Sequence, residues 1–439
     1  MSQLAERVRQ QLPTPATLHT RWRSPIRGPW LTSVFGSILL IGIPVEFLTG
    51  LVSWAAYNPR LAGNDENPDH GILDFYLFNW ITSPSWIYRV SQGIHVLLGL
   101  ALVPILLAKL WSVIPKLFAW PPLRSLASLL ERASLVLLVG GAVFEFATGI
   151  LNINYDYSFK FSFYDGHFLG AWAFFGGFVI HAILKFPKMR RSLKSRSLRR
   201  ELATGLYATI PEEQLPGDAD PPGESLIATD PGRPTISRRG VLALIGGSSV
   251  TVFVLTAGQS INALRPFSLL SPRARSYGSG PNAFQVNRTA AAAGIHPADT
   301  GATWQLALVN GGPGGQTVAL SRDQLLAMPL VTADLPIACV EGWSTEQRWT
   351  GIRLSDLSKM VGIAHPTGAH VQSLERHGAF ASASLSGQQI RAKESLLALQ
   401  VNGADLSADH GYPARIIVPA APGVHNTKWV GRITFSGGD

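Results

Sequence analysis

Cysteine is almost missing: Cys339 is the single one in 439 residues. Intramolecular disulfides are excluded, as is a metal cluster built on cysteines alone, so any chemical role for this thiol is one it plays by itself. Charge is also scarce, 15% of residues against 46% hydrophobic, and the apolar side chains must be concentrated somewhere. Membrane spans are the natural place. The basic excess, a formal +9, lies in clusters beside apolar segments rather than along a polar face. That pattern speaks against a nucleic-acid partner and for an anionic membrane leaflet. The length leaves room for two or three domains.

Long apolar runs are what the chain has in plenty. Four occupy the first 190 residues, roughly Trp30 to Trp54, Trp86 to Leu110, Leu129 to Leu151 and Phe168 to Phe186, each close to the ~20 residues a bilayer core requires. They predict an all-α bundle of four transmembrane helices over 29–190, with Trp30, Trp54, Trp86, Tyr88 and Trp111 at the interfaces. Arg21, Arg23 and Arg27 in the N-terminal segment 1–28 face the cytoplasm on the positive-inside rule. So do Lys109, Lys116, Arg124 and Arg132 between spans two and three, and the run "KFPKMRRSLKSRSLRR" after span four. Asp65, Glu66, Asp69, Asp74, Asp156 and Asp165 fall in the outward links. Residues 191–236, basic and then rich in proline, glycine and acids ("PEEQLPGDADPPGES"), read as a flexible cytoplasmic linker. A fifth apolar stretch at 237–259 leaves the cytoplasm again. Beyond it, 275–439 carries short β-type runs ("TWQLALVNG", "ARIIVPA", "KWVGRITFSG") broken by Gly and Pro turns, which predict an exported, β-rich α+β domain.

The two halves of the bundle resemble one another. "PVEFLTGL" in span one matches "VFEFATGI" in span three, aligning Glu46 with Glu145; "GIHVLLG" in span two matches "GHFLG" in span four, aligning His95 with His167. This reads as a parallel repeat of two helical hairpins. Ionisable residues within spans are costly and usually functional. Spans two and four run in the same direction, so His95 and His167 can approach one haem iron from opposite faces, and a haem with two imidazole ligands carries electrons without binding oxygen. His181, fourteen residues beyond His167 or roughly 21 Å along a helix, can serve a second haem or replace His167 as partner of His95. The alternative, histidines that only hydrogen-bond between helices, is weakened by finding three on the two equivalent spans. Glu46 and Glu145 can accept protons from a quinol, orient a histidine or share a neutral interhelical hydrogen bond. The four spans and their histidines resemble the b-type cytochrome subunits, of the formate dehydrogenase gamma kind, that connect formate dehydrogenases and hydrogenases to the quinone pool. The resemblance implies haem b, one or two per chain, and quinone or quinol as partner. It lacks a first-span histidine, since His19 lies outside the apolar run.

A lone cysteine after an apolar run is most often a packing residue. The surroundings of Cys339 say more. "ACVEGWS" with a following "LSDL", and downstream "VNGADLSADHGYPARIIVPAAPGVHNTKWVGRI", resemble the sulfite oxidase family of molybdopterin enzymes, which includes the periplasmic methionine sulfoxide reductases. The resemblance implies that Cys339 is the protein ligand to molybdenum and the catalytic centre. It implies also that His410 and Arg415 of "HGYPAR" bind the pterin phosphate and ring, and that Asn426, Thr427 and Lys428 of "HNTKW" grip the phosphate. Asn287, Arg288 and Thr289 of "VNRTA" would form another wall. The chemistry is consistent on its own terms: a soft thiolate suits molybdenum, and one cysteine suffices where a dithiolene supplies two more sulfurs. Arginine offers a phosphate a planar donor fork and lysine a point charge.

An internal export signal then makes sense. "ISRRGVLALIGGSSVTVFVLTAG" (236–258) places Ser237, Arg238 and Arg239 before a weakly apolar run, and it resembles the twin-arginine signals that move folded domains. A molybdopterin domain is loaded in the cytoplasm and must fold before it leaves. Taken alone, Arg238 and Arg239 are most simply read by the positive-inside rule; with a molybdopterin domain downstream the export reading is preferred. No small-x-small cleavage site follows Ala257, so the helix is expected to stay as an anchor. These readings describe a membrane-bound molybdopterin-dependent oxidoreductase of a bacterial plasma membrane, N-terminus inside and C-terminal domain outside. It would exchange electrons between a small sulfur species, or an S- or N-oxide, and the quinone pool. The competing class is a non-catalytic membrane receptor, or a haem carrier, that keeps the fold without molybdenum; the intact Cys339 and phosphate-loop residues argue against it.

Overall fold

The computed structural model describes residues 23–58, 61, 64, 79–117, 126–153, 159–214, 225–228, 230–271, 273, 277–378 and 380–438. Arg21, Asp65, Glu66, Asp69, Asp74, Arg124 and Asp156 lie outside the described residues. Five described helices are long and apolar enough to cross a membrane by length and composition. They are α1 (Pro29–Ala56), α2 (Ile87–Leu117), α3 (Leu126–Ile153), α4 (Phe163–Ser195) and α6 (Arg238–Ala257), with the short α5 (Leu198–Ala203) before the last. The chain divides into two compact units that interrupt the helices.

The first unit takes residues 1–47, 98–150 and 167–253. Leu31, Phe35, Leu39 and Ile43 recur every fourth residue on α1 and so share one face. They pack with Leu102, Ile105 and Leu106 of α2, Phe174 and Phe178 of α4, and Val241 of α6. Ile41, Leu107, Val136, Ile183 and Leu184 are exposed, so these helices are apolar outside as well as inside, unlike helices that face water.

The stretch expected to be a loose tether is partly ordered within this unit. Helix α5 and a 3-10 turn at Leu206–Ala208 lie in it, and Glu201, Thr209, Glu212 and Leu226 are buried. Its scarcity of apolar side chains is offset by polar anchoring at helix ends. The Glu212 carboxylate accepts from the Trp30 N–H at 2.7 Å and the Leu31 N–H at 3.4 Å, capping two of the donors that the start of α1 leaves unpaired and meeting the positive end of its dipole. A Cβ on Gly28 would overlap that carboxylate. At the start of α6, Arg238 is buried while Arg239 is exposed. The Arg238 guanidinium donates to the carbonyls of Ile26 at 3.2 Å, Pro25 at 3.2 Å and Ile210 at 3.0 Å. It also pairs with Glu201 at 3.4 Å and Glu212 at 3.7 Å.

The second unit takes residues 48–97, 151–166 and 254–439. Its larger part is two five-stranded sheets. The first is ordered β2 (Thr317–Ser321), β1 (Gln305–Asn310), β10 (Val430–Gly438), β5 (His365–Ser373), β6 (Ser382–Ser386). Only the β1–β10 pair in it is parallel. The second joins β3 (Val331–Ala338), β4 (Ser344–Arg353), β7 (Leu396–Val401) and β8 (Ala404–Asp405), with β9 (Arg415–Ile417) also on β7. Three short helices, α7 (Arg322–Leu326), α8 (Leu354–Met360) and α9 (Gly387–Arg391), follow strands; Ser321 and Ser386 close capping boxes on the first and last of them. Leu306, Leu308, Val371, Ile433 and Phe435 from the first sheet pack with Ile352, Leu397, Leu399 and Ile416 from the second. The α+β expectation for this part is met. The end of α1 and the start of α2 belong to the same unit: Ala55, Ala56, Tyr57, Trp80 and Tyr88 form one buried cluster with Ala338 and Val424. Trp80 Nε1 donates to the Ala420 carbonyl at 2.7 Å, and Asn64 exchanges hydrogen bonds with the Ser384 backbone at 2.8 and 3.2 Å.

Candidate functional site

Strand β3 delivers Cys339 into a five-residue connection to β4. The Cys339 N–H donates to the Trp343 carbonyl at 3.0 Å, the Gly342 N–H returns to the Cys339 carbonyl at 3.0 Å, and Gly342 takes the left-handed φ of 87° that such a tight return requires. The thiol is 9% exposed. Burial pushes its pKa up, and the neighbouring Glu341 carboxylate adds to the rise. Glu341 is itself held by Trp343 Nε1 at 2.7 Å and Arg273 Nε at 3.2 Å.

A second loop comes up beside this one through the bridge between Ala338 and Pro422. It carries His425, Asn426, Thr427 and Lys428, all buried. Arg415, at the start of β9, ties it to the 3-10 turn Ala408–His410: one guanidinium nitrogen donates to the His410 carbonyl at 3.0 Å and another to the Asn426 carbonyl at 3.1 Å. Lys428 Nζ donates to the carbonyls of Asp409 and Arg288, each at 2.8 Å. Burial pushes Arg415 down to about 9 and Lys428 well below its usual value, Arg415 adding to the effect on the lysine. His410, with Nδ1 beside Ser407 Oγ at 2.8 Å and its ring against Phe284 at 3.8 Å, is pushed down to about 3 by burial and then by the Arg415 and Lys428 charges.

These buried groups are under-used. Among the described residues Arg415 Nε, Asn426 Nδ2 and Thr427 Oγ1 find no hydrogen-bond partner; His410 Nε2 and the His425 ring nitrogens have none of good geometry, with the Phe284 and Gln285 backbone near the first ring and the Tyr57 backbone near the second. Orphaned buried donors are costly and rare. Two cations and a ring of such donors beside a buried thiol suit a polyanionic, metal-bearing cofactor, the anion answering Arg415 and Lys428 and its hydrogen-bonding edges answering the rest. The "VNRTA" residues contribute differently from one another. Lys428 binds the backbone carbonyl of Arg288, whose side chain pairs with Glu375 at 2.9 Å; Thr289 is exposed and caps the Ala292 N–H at 3.2 Å; Asn287 is half-buried. Sequence reasoning passed over His425, although it adjoins the residues singled out in "HNTKW". It also passed over the Arg273–Glu341 pair, for which no local signal exists, since Arg273 lies far upstream.

Fold and site thus define a domain built to bury an anionic cofactor against one cysteine. Residues 293–439 match the family model of the oxidoreductase molybdopterin binding domain. The mitochondrial sulfite oxidase of Rattus norvegicus is 33% identical over 158 residues, 30% of this chain and 29% of that protein. An uncharacterized oxidoreductase of Bacillus subtilis, YuiH, is 30% identical over 118 residues, 27% of this chain and 58% of that one. The crystal structure of the sulfane dehydrogenase SoxCD from Paracoccus pantotrophus shares 20% identity over 31% of this chain and 38% of that one, with a TM-score of 0.28, too slight a likeness to bear on fold or function. The chain spans under a third of the length of the rat sulfite oxidase. Its C-terminal part is a molybdopterin-binding oxidoreductase domain related to the sulfite oxidases.

The histidines of the helices have local settings that repeat. In the second unit, Thr49 Oγ1 lies 3.1 Å from His95 Nδ1 and a Cβ on Gly50 would come within 3.2 Å of the ring. In the first unit, Thr148 Oγ1 lies 2.9 Å from His167 Nδ1, with Glu145 Oε2 at 3.1 Å and Gly149 beside the ring. Glu46 lies against Gly99, and Glu145 against Gly170. The repeated "TG" therefore seats a histidine in both halves, and the repeated glutamate abuts a glycine of the following span. His181 is half-buried on α4. Among the described residues no group of three or more His, Cys, Asp or Glu converges; a one-cysteine or two-histidine site needs none.

Proposed function

We propose that the chain is a membrane-bound molybdopterin-dependent oxidoreductase of a bacterial plasma membrane. It passes electrons between a small sulfur species, or an S- or N-oxide, outside and the quinone pool through haem b. The observation that carries the reading is the buried Cys339 beside unsatisfied donors of His410, Arg415, His425, Asn426 and Thr427. Cys339 would hold molybdenum through its sulfur. Arg415 and Lys428 would take the pterin phosphate, while His410, His425, Asn426 and Thr427 meet its polar edges, with the backbone of Asn287 to Thr289 as a wall. When bound, molybdenum supplies two-electron oxygen-atom chemistry. The raised thiol pKa means that Cys339 stays protonated until a metal displaces the proton, as metal binding by thiols generally requires. The names of the relatives favour a sulfur substrate.

The haem reading rests on the two threonine-held histidines. A threonine hydroxyl against Nδ1 orients each ring, the kind of outer contact that holds a haem-ligating imidazole in place. His95 and His167 are the proposed pair, with His181 as ligand to a second haem or as the substitute for His167. Glu145, within reach of His167 Nδ1, orients that ring, and Glu46 is the proposed quinol-facing acid. The five apolar helices support a membrane location, and a cofactor domain after Arg238 and Arg239 supports export by the twin-arginine translocase. Metal and haem analysis of the purified chain tests the whole. Cys339→Ser should lose molybdenum-dependent turnover and keep the haem spectrum, and full activity in that variant would remove the basis of the assignment. Sulfite reducing the haem, or a sulfoxide reoxidising it, decides the direction of flow.

A further inference from the structure

Helix α2 carries His95 and also touches the Cys339 loop. Gln92, buried, donates from Nε2 to the Val340 carbonyl at 2.7 Å. Four residues earlier, Tyr88 is packed with Ala338 and Val340 in one cluster; four residues later, Val96 fills the space that a Cβ on Gly342 would need. Positions 88, 92 and 96 lie on one helix face, and together they touch the loop on both sides of Cys339. Arg89 adds an ion pair to Glu346 at 2.9 Å, exposed and of small worth. Ser260 Oγ also donates to the Gly342 carbonyl at 2.6 Å, so the loop has a second polar support. Among the described residues Gln92 Oε1 has no hydrogen-bond partner, and the bond the buried amide makes is the one to Val340.

We infer that Gln92 is a positioning residue for electron transfer. Its hydrogen bond makes Val340, the residue after the proposed metal ligand, contiguous with the helical turn that bears His95, three residues on from Gln92. This deepens the proposed function and rests on its haem assignment. The route carries electrons alone. Conversion of sulfite and water to sulfate would release two protons to the exterior and two electrons; a haem held by His95 would accept those electrons one at a time and pass each on to quinone, the final oxidant. The amide stays neutral throughout. With a sulfoxide as substrate and quinol as donor, the same two crossings run in reverse.

The test uses the full-length holoprotein and the variants Gln92→Leu and Gln92→Met, which keep the volume and remove the donor. Molybdenum and haem contents are matched first. Two rates are then compared: turnover with sulfite and a small soluble acceptor that takes electrons at the molybdenum domain, and the stopped-flow rate of haem reduction by sulfite. Where the parent haem does not respond to sulfite, reduction of a dialkyl sulfoxide by a small soluble donor replaces the first rate, and reoxidation of quinol-reduced haem by the sulfoxide replaces the second. The expected result is acceptor turnover within twofold of the parent and haem transfer slowed about tenfold. A second readout uses the uniqueness of the thiol: in full-length chain made without cofactor, maleimide should alkylate Cys339 in Gln92→Leu about fivefold faster, the population shift expected from losing one net hydrogen bond. Unchanged haem transfer overturns the inference and leaves the proposed function standing. Equal slowing of both rates also overturns it, since general damage explains that. A parent with no b-type spectrum overturns both it and the haem assignment.

Discussion

Replacing Arg238 with lysine keeps a positive charge at the start of α6 and removes the planar fork. The guanidinium serves three backbone carbonyls and two carboxylates while 1% exposed. An ammonium on a shorter reach can satisfy part of that set, and the remainder become buried acceptors without donors. Two lost bonds to a charged group, at about 1.5–3 kcal/mol each, with some relaxation, give a loss of ~3 kcal/mol. For a unit of this size that lowers the melting midpoint by roughly 6–12 °C. Arg239 is exposed, and its replacement by lysine should change stability by less than about 0.5 kcal/mol. Circular-dichroism melts of the two single variants in detergent make the comparison. A translocase reading the pair would be impaired by either change, so external protease on spheroplasts should spare the C-terminal domain in both variants. Melting should separate them. Equal midpoints for Arg238→Lys and Arg239→Lys would refute the structural role of Arg238.

Three further outcomes are expected. Arg415→Lys should lower the molybdenum content per purified chain at least tenfold, because a lysine cannot span the His410 and Asn426 carbonyls and still face a phosphate; normal loading, read by elemental analysis, would contradict this. His95→Ala should abolish the reduced b-type absorption, and Thr148→Val should shift the haem potential while retaining haem, as removal of a partner on Nδ1 does; an unaltered spectrum and potential would move the ligands elsewhere. In cofactor-free protein His410 and His425 are held down to about 3 and about 4 by burial, against ~6.5 unfolded. Only the unfolded chain then takes up protons between those values, so stability should fall as pH drops from ~6.5 towards 4 and level off below about 3; a flat melting profile over that range would argue against buried neutral imidazoles, and His425→Gln should reduce the slope.

What could be read in advance depended on how local the physics was. The helices announced themselves because length and apolar content are properties of one segment. Strands β1 and β9 fall inside the runs "TWQLALVNG" and "ARIIVPA", and β10 inside "KWVGRITFSG" but for its last residue, Gly438, since turn residues and alternation are also local. The order of the strands was not legible, because pairing β10 between β1 and β5 joins segments far apart in sequence. Burial of Arg238 was hidden for the same reason: its partners run from Pro25 to Glu212, and the charge alone looked like a topology signal. The linker misled because low apolar content implies looseness only where helix ends do not need capping. At the site, the residue types of "HGYPAR" and "HNTKW" pointed to an anion, but Arg288 pairing with Glu375 and Lys428 binding the Arg288 backbone depend on three loops meeting.

Strand β10 has a consequence for the order of events at the ribosome. Among the described residues it follows the other nine strands in sequence, yet it occupies the middle of its sheet, parallel to β1 on one side and antiparallel to β5 on the other. Until it emerges, β1 with β2 and β5 with β6 are separate hairpins lacking a common partner, and isolated hairpins are marginal in water. The sheet therefore cannot be assembled progressively during synthesis; it closes in one late, long-range step, the slow kind of topology. A translocase that engages α6 early would meet an open chain, and one that engages it after β10 has docked would meet a finished domain. The interval between those moments is set by the kinetics of a single strand insertion, and slowing that insertion should lengthen the time in which the exposed hairpin edges can pair with other chains.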